Sequence, residues 1–182
     1  MPHPLVLQLR FTRGEFQRAL KNVTPEEAVR QFEPINCISW IIGHLAWQEQ
    51  LYWLTHAQGI TPAPEVNACA SGQPASAPPL DEMWAAWRLV TQTADAWLDT
   101  LDTAQLETHT LKRIKPYEPY KESIGTRLRR TTYHYWYHTG ESQAIRQLLG
   151  HTGLPSFVGD IGGKAPYIPE TRDETDIQSR RG

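Results

Sequence analysis

The stretch DEMWAAWRLVTQTADAWLDTL, Asp81 to Leu101, decides the fold. Met83, Trp87, Val90, Ala94, Trp97 and Leu101 recur at alternating steps of four and three residues, which sets them along one seam of an amphipathic α-helix. A seam this regular needs helical neighbours packed lengthwise against it, because a single helix cannot bury its own apolar stripe.

Those neighbours are legible on both sides. Upstream, residues 4 to 22 carry Leu9, Phe16 and Leu20 at helical intervals. Thr24, Pro25, Glu26 and Glu27 then read as an N-cap, an N1 proline and an acidic first turn of a short helix ended by Pro34. Asn36 is the expected N-cap of a second long helix running to about Ala57, with Ile38, Ile41, Ile42, Leu45 and Leu51 on its apolar face. Residues 58 to 80, including TPAPEVNACASGQPASAPPL, hold five prolines among small residues and predict a long loop of the kind that often covers a site.

Downstream, residues 103 to 122 form another connection, broken by Pro116 and Pro119. A last long helix is expected from about Glu122 to Leu149, stopped by Gly150, with Ile124, Leu128, Thr131, Tyr135, His138, Ser142, Ile145 and Leu149 in its stripe. Four long helices with no competing strand pattern predict an all-α four-helix bundle of antiparallel type. The bundle occupies residues 1–150, and residues 151–182, rich in Gly, Pro and charge, form an irregular C-terminal extension of the same domain.

Composition narrows the function. A formal charge of -2 over 182 residues offers no long-range attraction for phosphate backbones or anionic lipid, so neither nucleic acid nor membrane is an expected partner. The one basic cluster, Arg127, Arg129 and Arg130, reads as a solvated or interface feature. The most apolar run, Cys37 to Trp47, is shorter than the ~18 residues that span a bilayer. Two cysteines make no disulfide framework and the N-terminus lacks a signal-peptide pattern, so a cytoplasmic location is expected.

The chemistry sits in the histidines. His134 and His138 are four apart, so on a helix they emerge about 6 Å apart along the axis and within about 40° of one another. One metal ion can reach both. Tyr135 stands where a His-Glu-x-x-His protease has its glutamate, and no Glu-x-x-His pair marks a di-iron site. Both rings fall on or beside an apolar stripe that supplies few hydrogen-bond partners, and a shared cation would satisfy them together. His44 lies in the apolar face of another long helix, although spacing alone does not bring it to the other two.

NCISWIIGHLAWQE (36–49) followed by TTYHYWYHTGESQAIRQLLGHTGLPSFVGD (131–160) resembles the DinB/YfiT-like superfamily of metal-dependent proteins. The resemblance implies a dimeric four-helix bundle with a three-histidine site formed here by His44, His134 and His138. It implies a divalent ion, zinc or nickel ahead of manganese or iron, and a low-molecular-weight thiol, as in relatives that use bacillithiol or mycothiol.

Around this site Gln48, one turn beyond His44, and Glu141, three residues beyond His138, are placed to orient the imidazoles. Their alternatives are a polar residue at the bundle boundary for Gln48 and a solvent-facing partner of Arg127 or Arg130 for Glu141. Arg127, seven residues before His134, is placed either to bind a carboxylate of a substrate or thiol, or to form a surface salt bridge. Cys37 reads as packed, His151 as a helix C-terminal residue, and His3, His56 and His109 show no partner pattern. Three neutral ligands leave an ion with an open position. The expected function is a metal-dependent enzyme that activates a thiol for transfer or water for hydrolysis on a small-molecule substrate. The alternative is a non-catalytic metal-binding dimer in stress response.

Overall fold

A computed structural model describes residues 2–110 and 119–168, and among these the regular elements are all helical. They are α1 (Pro4–Ala19), α2 (Pro25–Ala28), α3 (Ile38–Glu49) continued by a π-helical segment (Gln50–His56), a 3-10 turn (Pro64–Cys69), α4 (Leu80–Leu98), α5 (Thr103–Glu107), α6 (Ile124–Leu148) and α7 (Ile161–Lys164). No helix of the described chain is long and apolar enough to cross a membrane. Pro116 and the last residues of the tail, 169–182, lie outside the described residues.

The α4 seam is buried as its spacing requires. Met83, Trp87, Val90 and Ala94 are buried, while Trp97 stacks on Trp53 at 5.9 Å and leaves Leu98 as the fully buried residue of the last turn. The α6 stripe from Ile124 through Leu128, Thr131, Tyr135, His138 and Ser142 to Ile145 is buried throughout. α3 packs on α4 and α6, and α1 packs on α6, so the histidine-bearing helices α3 and α6 pack against one another in the core.

Local chemistry sets the ends. Thr24 and Glu27 close a capping box on α2. Gly150 adopts φ 85°, and the bonds Gly150 N–H to Gln147 O and His151 N–H to Arg146 O terminate α6, a conformation that a side chain would strain.

Three sequence expectations need correction. The N-cap of α3 is Cys37, in extended conformation and with no side-chain bond, so Asn36 lies one residue outside. After Glu49 the helix widens to i→i+5 bonding, which carries burial onto Trp53 and Leu54 and leaves Leu51 half-buried. The proline-rich connection is anchored: the Gln50 side-chain amide donates to Ala63 O (2.9 Å) and accepts from Ala63 N–H (2.8 Å), pairing with backbone as a strand would. That pairing holds the 3-10 turn against α3.

The C-terminal extension lies on α1. Gly159 N–H donates to Glu15 (2.8 Å), Arg18 donates to Ser156 O (2.7 Å) and covers the Phe157 ring, and Gln8 donates to Ala165 O (2.9 Å).

Candidate metal centre

His44 projects from α3 and His134 and His138 from α6, and their ring nitrogens converge within 4.8 Å of one another. His44 Nε2 lies 3.3 Å from His134 Nε2, which lies 3.0 Å from His138 Nε2. His44 and His138 are buried, and His134 is half-buried.

Each ring is fixed through its other nitrogen. His44 Nδ1 lies 2.8 Å from Cys69 O, His134 Nδ1 lies 2.8 Å from Gln48 Oε1, and His138 Nδ1 lies 2.6 Å from Glu141 Oε2. All three partners are acceptors, so each Nδ1 carries the proton. Burial, only partly offset by the Cys69 bond, lowers the His44 pKa from 6.5 to about 4. Burial and the neighbouring His138, His44 and Arg130 charges lower that of His134 to about 3. Rings that stay neutral with Nδ1 protonated have bare Nε2 atoms, so lone pairs face one another across the cluster with no hydrogen between them.

That arrangement fits a cation. A tetrahedral zinc site with Zn–N of ~2.05 Å sets its nitrogens about 3.3 Å apart, close to the His44–His134 and His134–His138 separations. The ligand set is neutral and nitrogen-only, which suits zinc and nickel alike. Trp40 stacks on His44 at 4.7 Å with 10° between planes, and Trp47 at 5.3 Å with 27°. These indoles pin the one ligand that does not come from α6.

A residue profile of the DinB superfamily matches residues 8–142, a span that contains all three histidines. The chain belongs to the DinB superfamily. No curated protein matches it significantly. Within this DinB chain, Gln48 and Glu141 both hold ligand imidazoles, and Arg130, which sequence offered as a partner of Glu141, pairs instead with Glu122.

Of the two sequence alternatives for Arg127, the structure rules out the surface salt bridge, because the residue is 1% exposed. Its guanidinium is sandwiched between Tyr52 (3.7 Å) and Tyr120 (3.2 Å), and its Nε and Nη1 meet no acceptor among the described residues. The remaining histidines also acquire partners. His3 caps α1 through Leu5 N–H, His56 bonds Tyr120 Oη, His109 bonds Tyr120 O, and His151 links Arg146 to Glu27.

A cavity of about 720 Å³ opens beside the centre, and His134 and Gln48 form part of its wall. Tyr52, Tyr133 and Tyr137 supply its aromatic surface, and Arg129 with the Arg130–Glu122 pair its charge. Sequence reading missed the Cys69 carbonyl, which as backbone has no signature, and the tyrosine wall. It also missed the indole clamp, although Trp40 and Trp47 stand four before and three after His44, the spacing at which helical side chains touch.

Proposed function

We propose that this DinB protein is a four-helix-bundle enzyme in which a divalent ion on His44, His134 and His138 activates a small-molecule thiol for transfer to an electrophile. The observation that carries the reading is the convergence of three bare Nε2 atoms beside a cavity walled by one of the three ligands. An ion with three neutral ligands and an open position is a Lewis acid that ionises a bound thiol or water near neutral pH.

The chain's own contribution is orientation. Cys69 O, Gln48 and Glu141 keep every Nδ1 protonated and every Nε2 aimed inward. The tyrosine wall gives an organic molecule surface to lie on.

Thiol is favoured over water by the cavity's acid–base inventory. Among the described residues, the cavity wall's one carboxylate, Glu122, is engaged by Arg130, and the Glu141 carboxylate beside the centre is engaged by His138, so neither is free to take a proton from water. A thiol, with a pKa of ~8.5 before binding, needs less help.

The test is turnover of a chloro-aromatic compound or an epoxide by zinc- or nickel-loaded protein with bacillithiol, mycothiol, glutathione or no thiol. Thiol-dependent turnover that disappears in His44→Ala is expected. Ester or amide cleavage without thiol would replace transfer by hydrolysis, and inactivity of metal-loaded, folded protein in every arm would leave the non-catalytic metal-binding reading. Pairing of two copies belongs to the same proposal, and a strictly monomeric mass by light scattering removes it.

A further inference from the structure

The cavity beside the histidines has a charge imbalance that the centre does not explain. Arg129 and Arg130 stand on its wall against one carboxylate, Glu122, and Arg130 takes Glu122 in an ion pair. Arg129 is exposed and has no ion pair or hydrogen bond from its side chain to any described residue. Behind Tyr52, itself a wall residue, lies the buried Arg127 guanidinium, also without an ion pair among the described residues. Among the described residues Arg129 therefore has no counter-ion on the cavity wall, and the buried Arg127 guanidinium, whose charge Glu122 also feels, adds positive potential where water screens it poorly.

The positions of these groups follow from helix geometry. Arg129, Tyr133 and Tyr137 lie at four-residue intervals on α6 and form one stripe, and Arg130 and His134 form the adjacent one. Arg129 precedes His134 by five residues, about 7.5 Å along the axis, and Arg130 by four, about 6 Å. Tyr133 and Tyr137 are each 68% exposed, far more than rings packed for stability; along the helix Tyr133 lies between Arg129 and His134, and Tyr137 lies just beyond His134. Tyr52 adds a third aromatic ring to the same cavity lining.

We propose that this cavity selects an anionic, planar small molecule whose carboxylate or phosphate binds Arg129, whose flat body lies on Tyr133 and Tyr137, and whose other end reaches His134. This deepens the proposed thiol chemistry and rests on that reading for the direction in which the molecule lies. Arg129 is a binding residue here. Its planar fork matches an oxyanion bidentately, and the Arg127 field adds to the attraction without contact.

The probe is 4-mercaptobenzoate, in which a ring separates sulfur from carboxylate by about one helical turn. Binding is measured by isothermal titration to the full-length, zinc-loaded protein and compared with the uncharged 4-mercaptobenzamide. The expected preference for the acid is about tenfold, the scale of one charge-assisted hydrogen-bonded pair. In Arg129→Ala it should fall below about threefold, with Arg129→Lys intermediate and zinc stoichiometry unchanged in both. Replacing the carboxylate by a phosphate ester tells the two anions apart, since the tighter binder names the natural group.

Equal affinity for acid and amide in the parent protein, or a preference that survives in Arg129→Ala, overturns the proposal. The outcome separates from that of the proposed reaction. A charge preference without thiol-dependent turnover keeps the anion site and removes the transferase, and turnover without preference does the reverse.

Discussion

Two polar clusters lie back to back in this helical core, built from adjacent residues of the same two helices. Gln48 of α3 and His134 of α6 belong to the histidine centre, and the very next residues, Glu49 and Tyr135, belong to a closed ionic network. In that network Arg13 grips Glu49, donating from Nε at 2.8 Å, and reaches Asp95 at 2.7 Å. Tyr135 donates to Glu49 at 2.6 Å and accepts from Trp87 Nε1 at 2.7 Å. Every contact there has a proton on one side and an acceptor on the other. The charge of buried Glu49 adds to desolvation in holding the Tyr135 phenol well above its ordinary pKa, so it stays a donor. The histidine cluster has protons only on its outer edge. One cluster is complete within the protein, and the other leaves three converging ring nitrogens that could hold a cation, which separates a structural polar core from a candidate binding site better than burial does.

The largest expected effect breaks the second cluster alone. His134→Ala and His138→Ala should each abolish retention of one equivalent of zinc after reconstitution and desalting, measured by elemental analysis. In the metal-free state, melting of His134→Ala should stay close to the parent's, because that ring is half-exposed and its Nε2 faces other lone pairs. In the parent, zinc at a hundredfold excess over its Kd should add about 2.7 kcal/mol, and the variants should show none of it. Undiminished zinc retention in both variants would mean the ion, if any, sits elsewhere.

Glu49→Ala breaks the first cluster instead. It strands the Arg13 guanidinium, 5% exposed, with only the half-exposed Asp95 as counter-charge, and should cost about 3–5 kcal/mol by urea unfolding. Below the unfolding transition, zinc should still bind stoichiometrically. A loss of under about 1 kcal/mol would show that the network is dispensable.

Smaller effects sharpen the boundary between the clusters. Gln48→Ala and Glu141→Ala leave all three ligands in place but free the tautomer and ring orientation, so zinc affinity should fall about 10–100-fold by competition with a chromophoric chelator. Tyr135→Phe, one residue from His134 but facing the network, should leave that affinity unchanged. If Tyr135→Phe weakened zinc as much as Gln48→Ala, the clusters would be one unit.

This division was half visible in the sequence. The seams of α4 and α6 and the position of Gly150 follow from period and capping, because a helix repeats every 3.6 residues whatever it packs on. His134 with His138 is a local pattern, whereas His44 needed the family resemblance, since interhelix distance is a tertiary quantity. Arg13 and Glu49 carry no pairing signal because they are far apart in sequence and no periodicity links them. Arg127 misled because a charged residue in a basic run reads as solvated, while the two tyrosines that bury it come from a π-helical segment and a loop. Cys69 contributes a backbone carbonyl, so no side-chain pattern could announce it.

The smallest effect concerns how that carbonyl reaches His44. Gly43 lies where the 3-10 turn crosses α3, and a Cβ there would come within 2.6 Å of both Cys69 Sγ and Met83 Sδ, and within 3.3 Å of Cys69 Cβ. The two contacts differ in how they can relax. Met83 Sδ belongs to a flexible thioether chain that can turn aside. Cys69 has a short side chain close to its backbone, held between the Gln50–Ala63 pairing and α4, so relief there must move the turn itself. Gly43→Ala should therefore cost about 1 kcal/mol by urea unfolding, the low end for overpacking, because only one of the two contacts is stiff and alanine's helix propensity offsets part of it. Moving the turn also lengthens the 2.8 Å contact between Cys69 O and His44 Nδ1, while Gln48 and Glu141 keep their hold on the α6 ligands. Zinc affinity should consequently fall by less than in Gln48→Ala, about threefold to tenfold. A Gly43→Ala protein that loses stability but binds zinc as tightly as the parent would show that the indoles of Trp40 and Trp47 suffice to hold His44 without the carbonyl.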